Sequence, residues 1–169
     1  MEGVMIANPR HKYLQYNPYT KLMLIERYDF DLMIKVRQEE LVRCKIKPDT
    51  TVGVVMGVLG RQGSSHIVNR IIDELKSRNV KFITLLVSEL SVEQLQCFRE
   101  YVNVNSRSVQ FFVQVACPRL SIDWGKYFDK PLLTPYEFYS LIGKVDFSTE
   151  STLPAYARLS YGLLFRQRG

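Results

Sequence analysis

The fold of the chain is decided by residues 51–75, which read TVGVVMGVLGRQGSSHIVNRIIDEL. The run from Thr51 to Met56 is mostly apolar and β-branched, which predicts a strand. A loop from Gly57 to Gly63 follows, and it contains three glycines. After the loop, apolar residues recur at the spacing of one helical face, namely Ile67, Val68, Ile71, Ile72 and Leu75. The stretch therefore predicts a strand, a glycine loop and a helix.

Further strands and helices are predicted on both sides of this unit. The apolar residues from Phe82 to Val87 predict a second, buried strand, and Val109 to Val115 predict a third. Helices are predicted at three more places. One starts near Asp29, and a short one follows Ser91, with Gln94 in a capping box. The third runs from Thr134 to about Gly143, where Pro135 suits the first helical position and Glu137 can close a second capping box. This alternation favours an α/β fold with a mainly parallel sheet flanked by helices.

The α/β domain is placed at residues 29–145, and both ends of the chain are expected to lie outside it. Residues 1–28 hold a short apolar piece followed by prolines and aromatic rings, which is typical of a connector. Residues 146–169 have mixed polarity and little periodicity, so they are interpreted as a carboxyl-terminal tail.

Charge, apolar runs and cysteine spacing narrow the class of protein. The formal net charge of +6 favours acidic partners. No apolar run approaches the roughly 20 residues of a membrane-spanning helix, and the amino terminus lacks the features of a signal peptide. A cytoplasmic protein without membrane contact is therefore expected. The three cysteines are widely spaced, which indicates neither a disulfide framework nor a self-contained zinc site.

The glycine loop from Gly57 to Gly63 is the first candidate for chemistry. Glycines let backbone amides approach an anion, the following helix presents its positive end, and Arg61 adds a positive charge. The spacing Gly-x-x-Gly-x-x-Gly matches neither the dinucleotide fingerprint nor the P-loop. The loop is therefore either a ligand-binding loop or a tight turn that only packs.

Cys117 is the second candidate, because it directly follows the third predicted strand. Open α/β sheets place their ligands at the carboxyl ends of strands, and Pro118 stops further pairing there. Arg119 and Asp123 lie nearby in the sequence. A cysteine in such a position is either an exposed thiolate that serves as metal ligand or nucleophile, or a buried small apolar residue.

Other chemical signals in the sequence are weaker. Cys44 and Cys97 fall in predicted helices without ligand spacing to Cys117, so core positions are expected for them. His66 follows the glycine loop and is expected to be exposed. The tyrosines and lysines of residues 12–21 suit packing on a neighbouring domain better than binding of nucleic acid. No Ser-His-acid set, paired-carboxylate motif or His-Glu-x-x-His stretch is present, so hydrolase chemistry has no support.

Two long motifs and two shorter ones resemble a known family. Residues 114–125, QVACPRLSIDWG, and residues 130–137, KPLLTPYE, closely resemble the third domain of diphthamide synthases. The runs MIANP with YNPYTK, before the domain, and GVLGRQGS, in the glycine loop, agree with it in the same order. Together these motifs cover residues 1–145 and resemble subunit 1 of the eukaryotic enzyme more than subunit 2.

The resemblance implies the first step of diphthamide biosynthesis. In this step a 4Fe-4S-dependent radical reaction transfers a 3-amino-3-carboxypropyl group from S-adenosylmethionine to a histidine of elongation factor 2. The family holds its cluster with one cysteine from each of three similar domains, and Cys117 matches the third of these cysteines. The expected partners are a second synthase subunit, elongation factor 2 and an electron-donor protein.

The resemblance also implies a cofactor-binding role for the edge that carries Cys117. The residues expected to help hold S-adenosylmethionine there are Gly57, Gly60, Arg61, Gln62, Gly63 and Arg119. Residues 1–28 are then interpreted as a remnant of the preceding domain and its linker. Neither Cys44 nor Cys97 lies in a matching motif, so this chain is not expected to hold a complete cluster alone. The alternative is a non-catalytic α/β binding or scaffolding module from a truncated family member.

Overall fold

In a computed structural model of the chain, residues 2–59, 63–89, 91 and 109–147 are described. The α-helices in them are α1 (Glu2–Ala7), α2 (Phe30–Arg43), α3 (Ser65–Ser77), α4 (Arg119–Trp124) and α5 (Pro135–Leu141), and a 3-10 turn spans Gly125–Tyr127. The strands are β1 (Tyr13–Asn17), β2 (Leu22–Glu26), β3 (Thr51–Gly57), β4 (Lys81–Val87), β5 (Val109–Val115) and β6 (Leu132–Leu133). None of the helices in these ranges is long and apolar enough to cross a membrane.

The central sheet is parallel throughout and has the strand order β4-β3-β5-β6. Helices flank it, which confirms the predicted α/β fold. The predicted strands β3, β4 and β5 and the predicted helix α3 are all present. The sequence does not predict β6, because two residues are too short a run to give a periodicity signal.

The two faces of the sheet bury different side chains of the same strands. On one face, α3 and α5 pack against a cluster that includes Val52, Val54, Phe111 and Val113. On the other face lie Val55, Val87, Val109, Phe112, Phe128 and Leu132. This alternation follows from the period of two residues along a strand. Since packed side chains cover both faces of β3 and β5, the carboxyl ends of these strands are held in fixed positions.

The helix starts agree with the capping signals in the sequence. At α5, the Thr134 hydroxyl accepts a hydrogen bond from the backbone of Glu137, and the Glu137 carboxylate accepts one from Thr134 N at 2.7 Å. Pro135 occupies the first turn. At α2, the Asp29 carboxylate accepts from Leu32 N at 2.9 Å. The predicted capping box of α5 and the predicted start of α2 are therefore confirmed.

β4 differs from the sequence prediction in its burial. The prediction is a buried strand, whereas β4 lies at the edge of the described sheet and Val87 is its one fully buried residue. Thr84 and Leu86 are exposed, Leu86 by 63%. The prediction is wrong because a continuous apolar run does not reveal how many neighbours a strand has.

The segment predicted to be a connector, residues 1–28, contains regular structure. α1 buries Met5 and Ile6, and Ile6 packs with Met33 and Ile34 of α2. An antiparallel hairpin of β1 and β2 follows, which the sequence analysis missed. Its signal was present in two strand-like runs, YLQYN and LMLIE, on either side of a Pro-containing turn. The interpretation of residues 1–28 as a remnant of a preceding domain and its linker stays a prediction.

One face of this hairpin is apolar and exposed. Leu14 lies opposite Ile25 and Tyr16 lies opposite Met23, so their four side chains share one side of the ribbon. Each of them is between 56% and 67% exposed. A two-stranded ribbon is at best marginally stable in water by itself. The hairpin therefore has little packing support on this face.

A buried ion pair joins the helices to the sheet. Arg37 of α2 and Glu137 of α5 are 1% and 0% exposed, and they are joined by hydrogen bonds of 2.7 and 2.8 Å. The same guanidinium donates to the backbone oxygens of Ser121 and Leu132, both at 2.7 Å. Gly125 leaves room for it, because an added Cβ there would lie 2.7 Å from Arg37 Nη1. The pair therefore links α2, α4, β6 and α5.

Several sequence predictions lie outside the described residues. These are the capping-box helix that begins after Ser91, Cys97 within it, the loop residues Gly60, Arg61 and Gln62, and the tail from residue 148 onward. The boundaries of the domain at residues 29 and 145 stay a prediction.

We expect Arg37→Met to lower the free energy of unfolding by about 3 to 5 kcal/mol, because it leaves the Glu137 carboxylate buried without its partner. Equilibrium unfolding in urea measures the change. Lys144→Ala is the matched control, since it removes an ion pair with Glu74 from the surface and should cost at most about 1 kcal/mol. Similar costs for the two variants would contradict the role assigned to the buried pair.

Candidate cofactor site

The direction in which the chain crosses the sheet reverses between β3 and β5. β3 connects through α3 to β4 on one side, whereas β5 leads through α4 to β6 on the other side. Open parallel sheets bind ligands outside the carboxyl ends of the strands at such a point of reversal. The glycine loop begins at the end of β3, and Cys117 follows the end of β5. The topology thus brings two independent sequence candidates to one place.

The glycines at the ends of the loop allow close contact between backbones. Met56 pairs with Val115, so Gly57 lies beside Ala116, and an added Cβ on Gly57 would lie 2.8 Å from the Ala116 Cβ. An added Cβ on Gly63 would lie 2.1 Å from the carbonyl oxygen of Gly57. Packing alone therefore explains why glycine stands at both positions. The cofactor-binding role of the loop stays a prediction.

Cys117 is held through its backbone and remains partly accessible. Its carbonyl oxygen accepts hydrogen bonds from Leu120 N at 3.0 Å and from the Gln114 side-chain amide at 3.1 Å. The backbone oxygen of Pro118 accepts from Ser121 N and Ile122 N, both at 3.1 Å, which starts α4. The Cys117 side chain is a free thiol of intermediate burial. Of the two predicted readings, an available thiol fits this structure better than a core residue.

Arg119 is bound by carboxylates within the described chain. Its guanidinium donates to Asp123 and, at 2.6 Å, to Glu2 of α1. Partial burial disfavours the charged guanidinium, but the two carboxylates outweigh this effect, and the pKa of Arg119 lies above its ordinary value. Its proposed contact with S-adenosylmethionine stays a prediction, and a cofactor carboxylate would have to compete with these two.

Arg119 and Asp123 also line a cavity of about 520 Å³ between α1, α2 and α4. Cys117 does not line this cavity. Burial, followed by the Asp123 carboxylate, raises the pKa of Tyr28 in its wall.

Cys44 occupies the core position predicted for it. It is 5% exposed, and its thiol lies 3.4 Å from the backbone oxygen of Glu40. Burial, together with the Glu40 and Glu137 carboxylates, raises the pKa of the Cys44 thiol to about 12. Such a thiol is neither a nucleophile nor an accessible ligand. His66 is exposed, as predicted.

Two residues that organise the site are missed by the sequence analysis. Gln114 lies in the buried strand β5, and Arg37 lies in α2 with its side chain buried. A glutamine in the apolar run VQFFVQV is a detectable signal, since a buried amide requires hydrogen-bond partners. No comparable signal marks Arg37, whose partner Glu137 lies far along the sequence.

The chemistry of the donors fits one ligand of an iron-sulfur cluster. Clusters are held by cysteine thiolates, and Cys117 is the accessible cysteine of the described residues. Within the described ranges, no group of three or more Cys, His, Asp or Glu side chains is arranged to hold a metal ion. The remaining ligands of such a cluster would have to come from elsewhere.

The fold is that of an open α/β domain, with a cysteine near the point where the strand order of its parallel sheet reverses. The family model described as "Putative diphthamide synthesis protein" matches residues 1–152. The chain therefore belongs to the diphthamide synthesis protein family, as its motifs predict.

Relatives in this family are much longer than the chain. Subunit 1 of 2-(3-amino-3-carboxypropyl)histidine synthase from Dictyostelium discoideum is 35% identical over 158 residues, which are 94% of this chain and 31% of the relative. The human subunit 1 is 38% identical over 162 residues, which are 96% of this chain and 35% of the relative. The chain thus spans about a third of the length of the curated relatives it matches.

A solved structure with the same fold contains a cluster. The crystal structure of Dph2 from Pyrococcus horikoshii with a 4Fe-4S cluster matches with a TM-score of 0.62 and 25% sequence identity. The match covers 86% of this chain and 38% of the Dph2 chain. An iron-sulfur protein of the family is therefore similar to this chain in fold.

We expect iodoacetamide at pH 8 to alkylate Cys117 in the folded chain and to leave Cys44 unmodified. With a pKa of about 12, roughly one Cys44 thiol in ten thousand is ionised at that pH, and burial blocks access as well. Peptide mapping by mass spectrometry measures both rates, and denaturant should make Cys44 reactive. Equal rates in the folded chain would contradict the assignment of Cys44 to the core.

Proposed function

We propose that this chain supplies one cysteine ligand and part of the cofactor-binding edge of a 2-(3-amino-3-carboxypropyl)histidine synthase. The reaction is the first step of diphthamide biosynthesis, the transfer of a 3-amino-3-carboxypropyl group from S-adenosylmethionine to a histidine of elongation factor 2. The chain acts as part of a larger or split enzyme, since it spans about a third of its relatives.

The position of Cys117 is the observation that carries this proposal. It follows β5 at the point where the strand order reverses, beside the glycine loop, and its thiol is partly accessible. The family relationship and the 4Fe-4S cluster of the similar Dph2 structure supply the chemical context. A thiolate at a strand end can face a cavity that is shared with other domains.

The roles of the residues follow from this position. Cys117 would bind one iron, and the backbone amides around Gly57 and Gly63 would hold polar groups of S-adenosylmethionine. Gly60, Arg61, Gln62 and Arg119 are proposed to help in the same task. When bound, a reduced cluster supplies the electron for cleavage of S-adenosylmethionine. The chain's own contribution is to place the thiol and the loop side by side and to keep the strand ends rigid.

The proposed partners are a second synthase subunit, elongation factor 2 and an electron-donor protein, and the proposed compartment is the cytoplasm. Neither membrane contact nor direct contact with nucleic acid is part of this proposal. The exposed apolar face of the hairpin and the net charge of +6 are compatible with contacts to other proteins.

A non-catalytic binding or scaffolding module is the second candidate. It is favoured by the exposed apolar face of the hairpin, which suits contact with another protein and requires no cluster. The two candidates differ in whether Cys117 ever carries iron.

We expect iron and sulfide to be incorporated when the chain is reconstituted anaerobically together with the other synthase subunit, and Cys117→Ala to abolish the iron contributed by this chain. The reason is that each cluster ligand is a cysteine thiolate, which alanine cannot replace. Iron and sulfide analysis with the visible absorption spectrum provides the measurement. The chain alone should form no stable cluster.

Cys44→Ala is the matched control, because it removes a cysteine that is buried in the core. It should leave the iron content unchanged. Circular dichroism should show that both variants remain folded. Iron retained in full by Cys117→Ala, or no iron with any combination of subunits, would favour the non-catalytic module.

A further inference from the structure

We propose that Gln114 is a positioning residue for Cys117, acting with Ser121 and Arg37 as a clamp on the segment that carries the thiol. This inference rests on the proposed function, since it concerns how the candidate ligand is held. It assigns a role to a residue outside the motif positions expected to touch the cofactor.

The contacts of Gln114 form the first part of the clamp. Its side-chain amide donates to the backbone oxygen of Cys117 at 3.1 Å and to the Ser121 hydroxyl at 3.0 Å. One side chain thus holds the residue that carries the thiol and the first turn of α4. Because Gln114 is the penultimate residue of β5, the sheet itself serves as the anchor.

Arg37 extends the clamp to Ser121, at the other end of the segment. Its guanidinium donates to the backbone oxygen of Ser121 at 2.7 Å and is fixed in turn by Glu137. Ser121 is fully buried and is therefore held by both its hydroxyl and its carbonyl oxygen. Hydrogen bonds therefore fix both ends of the segment from Cys117 to Ser121, with Cys117 bound to β5 and Ser121 bound to α2.

The energetics of Gln114 argue against a purely structural role. It is fully buried, and its side-chain oxygen is one of the buried polar atoms that have no hydrogen-bond partner among the described residues. An unpaired buried oxygen costs free energy, and an apolar side chain of the same length would avoid that cost. A glutamine at this position is therefore disfavoured by burial alone, and its benefit lies in the segment that it holds.

Such a clamp is what a cluster ligand requires. Residues behind the ligands orient them, and their loss typically weakens metal binding even when every ligand is present. Here the clamp fixes the backbone of Cys117 and leaves its thiol free. Gln114 and Arg37 thus determine the direction in which the Cys117 thiol points away from the sheet.

The test compares Gln114→Met with Gln110→Met. Methionine has the length of glutamine and packs in irregular cores, so both variants should fold. Gln110 is the matched control, because it lies on the same strand and accepts a hydrogen bond from Thr51 N at the opposite end of the sheet from Cys117. The urea midpoint of Gln114→Met should change little, because the variant loses two hydrogen bonds but also removes an unpaired buried oxygen.

The decisive readout is the alkylation rate of Cys117 in the iron-free chain, measured by peptide mapping. Gln114→Met should raise this rate by roughly fivefold to tenfold, which is the shift in an opening equilibrium that loss of ordinary hydrogen bonds produces. Gln110→Met should leave the rate unchanged. An unchanged rate in Gln114→Met, or an equal rise in both variants, would overturn the clamp.

Iron loading with the partner subunit separates the clamp from the proposed function. If Gln114→Met loses iron faster than the parent and also reacts faster with iodoacetamide, the clamp and the ligand role both hold. If the alkylation rate rises but no variant or parent binds iron, the clamp stands and the proposed function fails. If the parent binds iron and Gln114→Met matches it in both measurements, the proposed function stands and the clamp fails.

Discussion

The buried pair of Arg37 and Glu137 is the interaction on which the arrangement of the domain depends. Two charges taken out of water lose hydration, and they are tolerated only where further hydrogen bonds satisfy them. The guanidinium meets this condition through the backbone of Ser121 and Leu132, and the carboxylate through the backbone of Thr134. These partners lie on separate elements, so few other packings of the same helices would satisfy both charges.

The candidate site takes its rigidity from the same group of residues. Ser121 is held by Arg37, and Gln114 connects Ser121 to Cys117. The proposed orientation of the Cys117 thiol therefore depends on side chains other than the candidate ligand itself. The strand order of the sheet sets the position of Cys117, and the polar residues behind it set the direction of its thiol. A thiol at a strand end has a defined position and a defined direction only when the strand order and these polar residues act together.

How much the sequence predicts depends on whether a signal is local. β3, β5, α3 and the cap at Thr134 are predictable, because apolar periodicity and the capping box act within a few residues. Cys117 is found because Pro118 and the end of a strand frame it. Arg37 cannot be found this way, since its partner is 100 residues away and an arginine in a helix normally points to water. The edge position of β4 is likewise set by topology alone.

The pairing of β3 with β5 also imposes an order of events. Met56 and Val115 are neighbours in the sheet, yet β4 lies between them in the sequence. Parallel pairing across such a separation is slow, because the entropy of closing a long loop is lost before the new contacts form. During synthesis, the glycine loop leaves the ribosome well before the cysteine that it will adjoin. Any group that sits between the two loops can therefore be held by both only after β5 has been synthesised and has paired with β3.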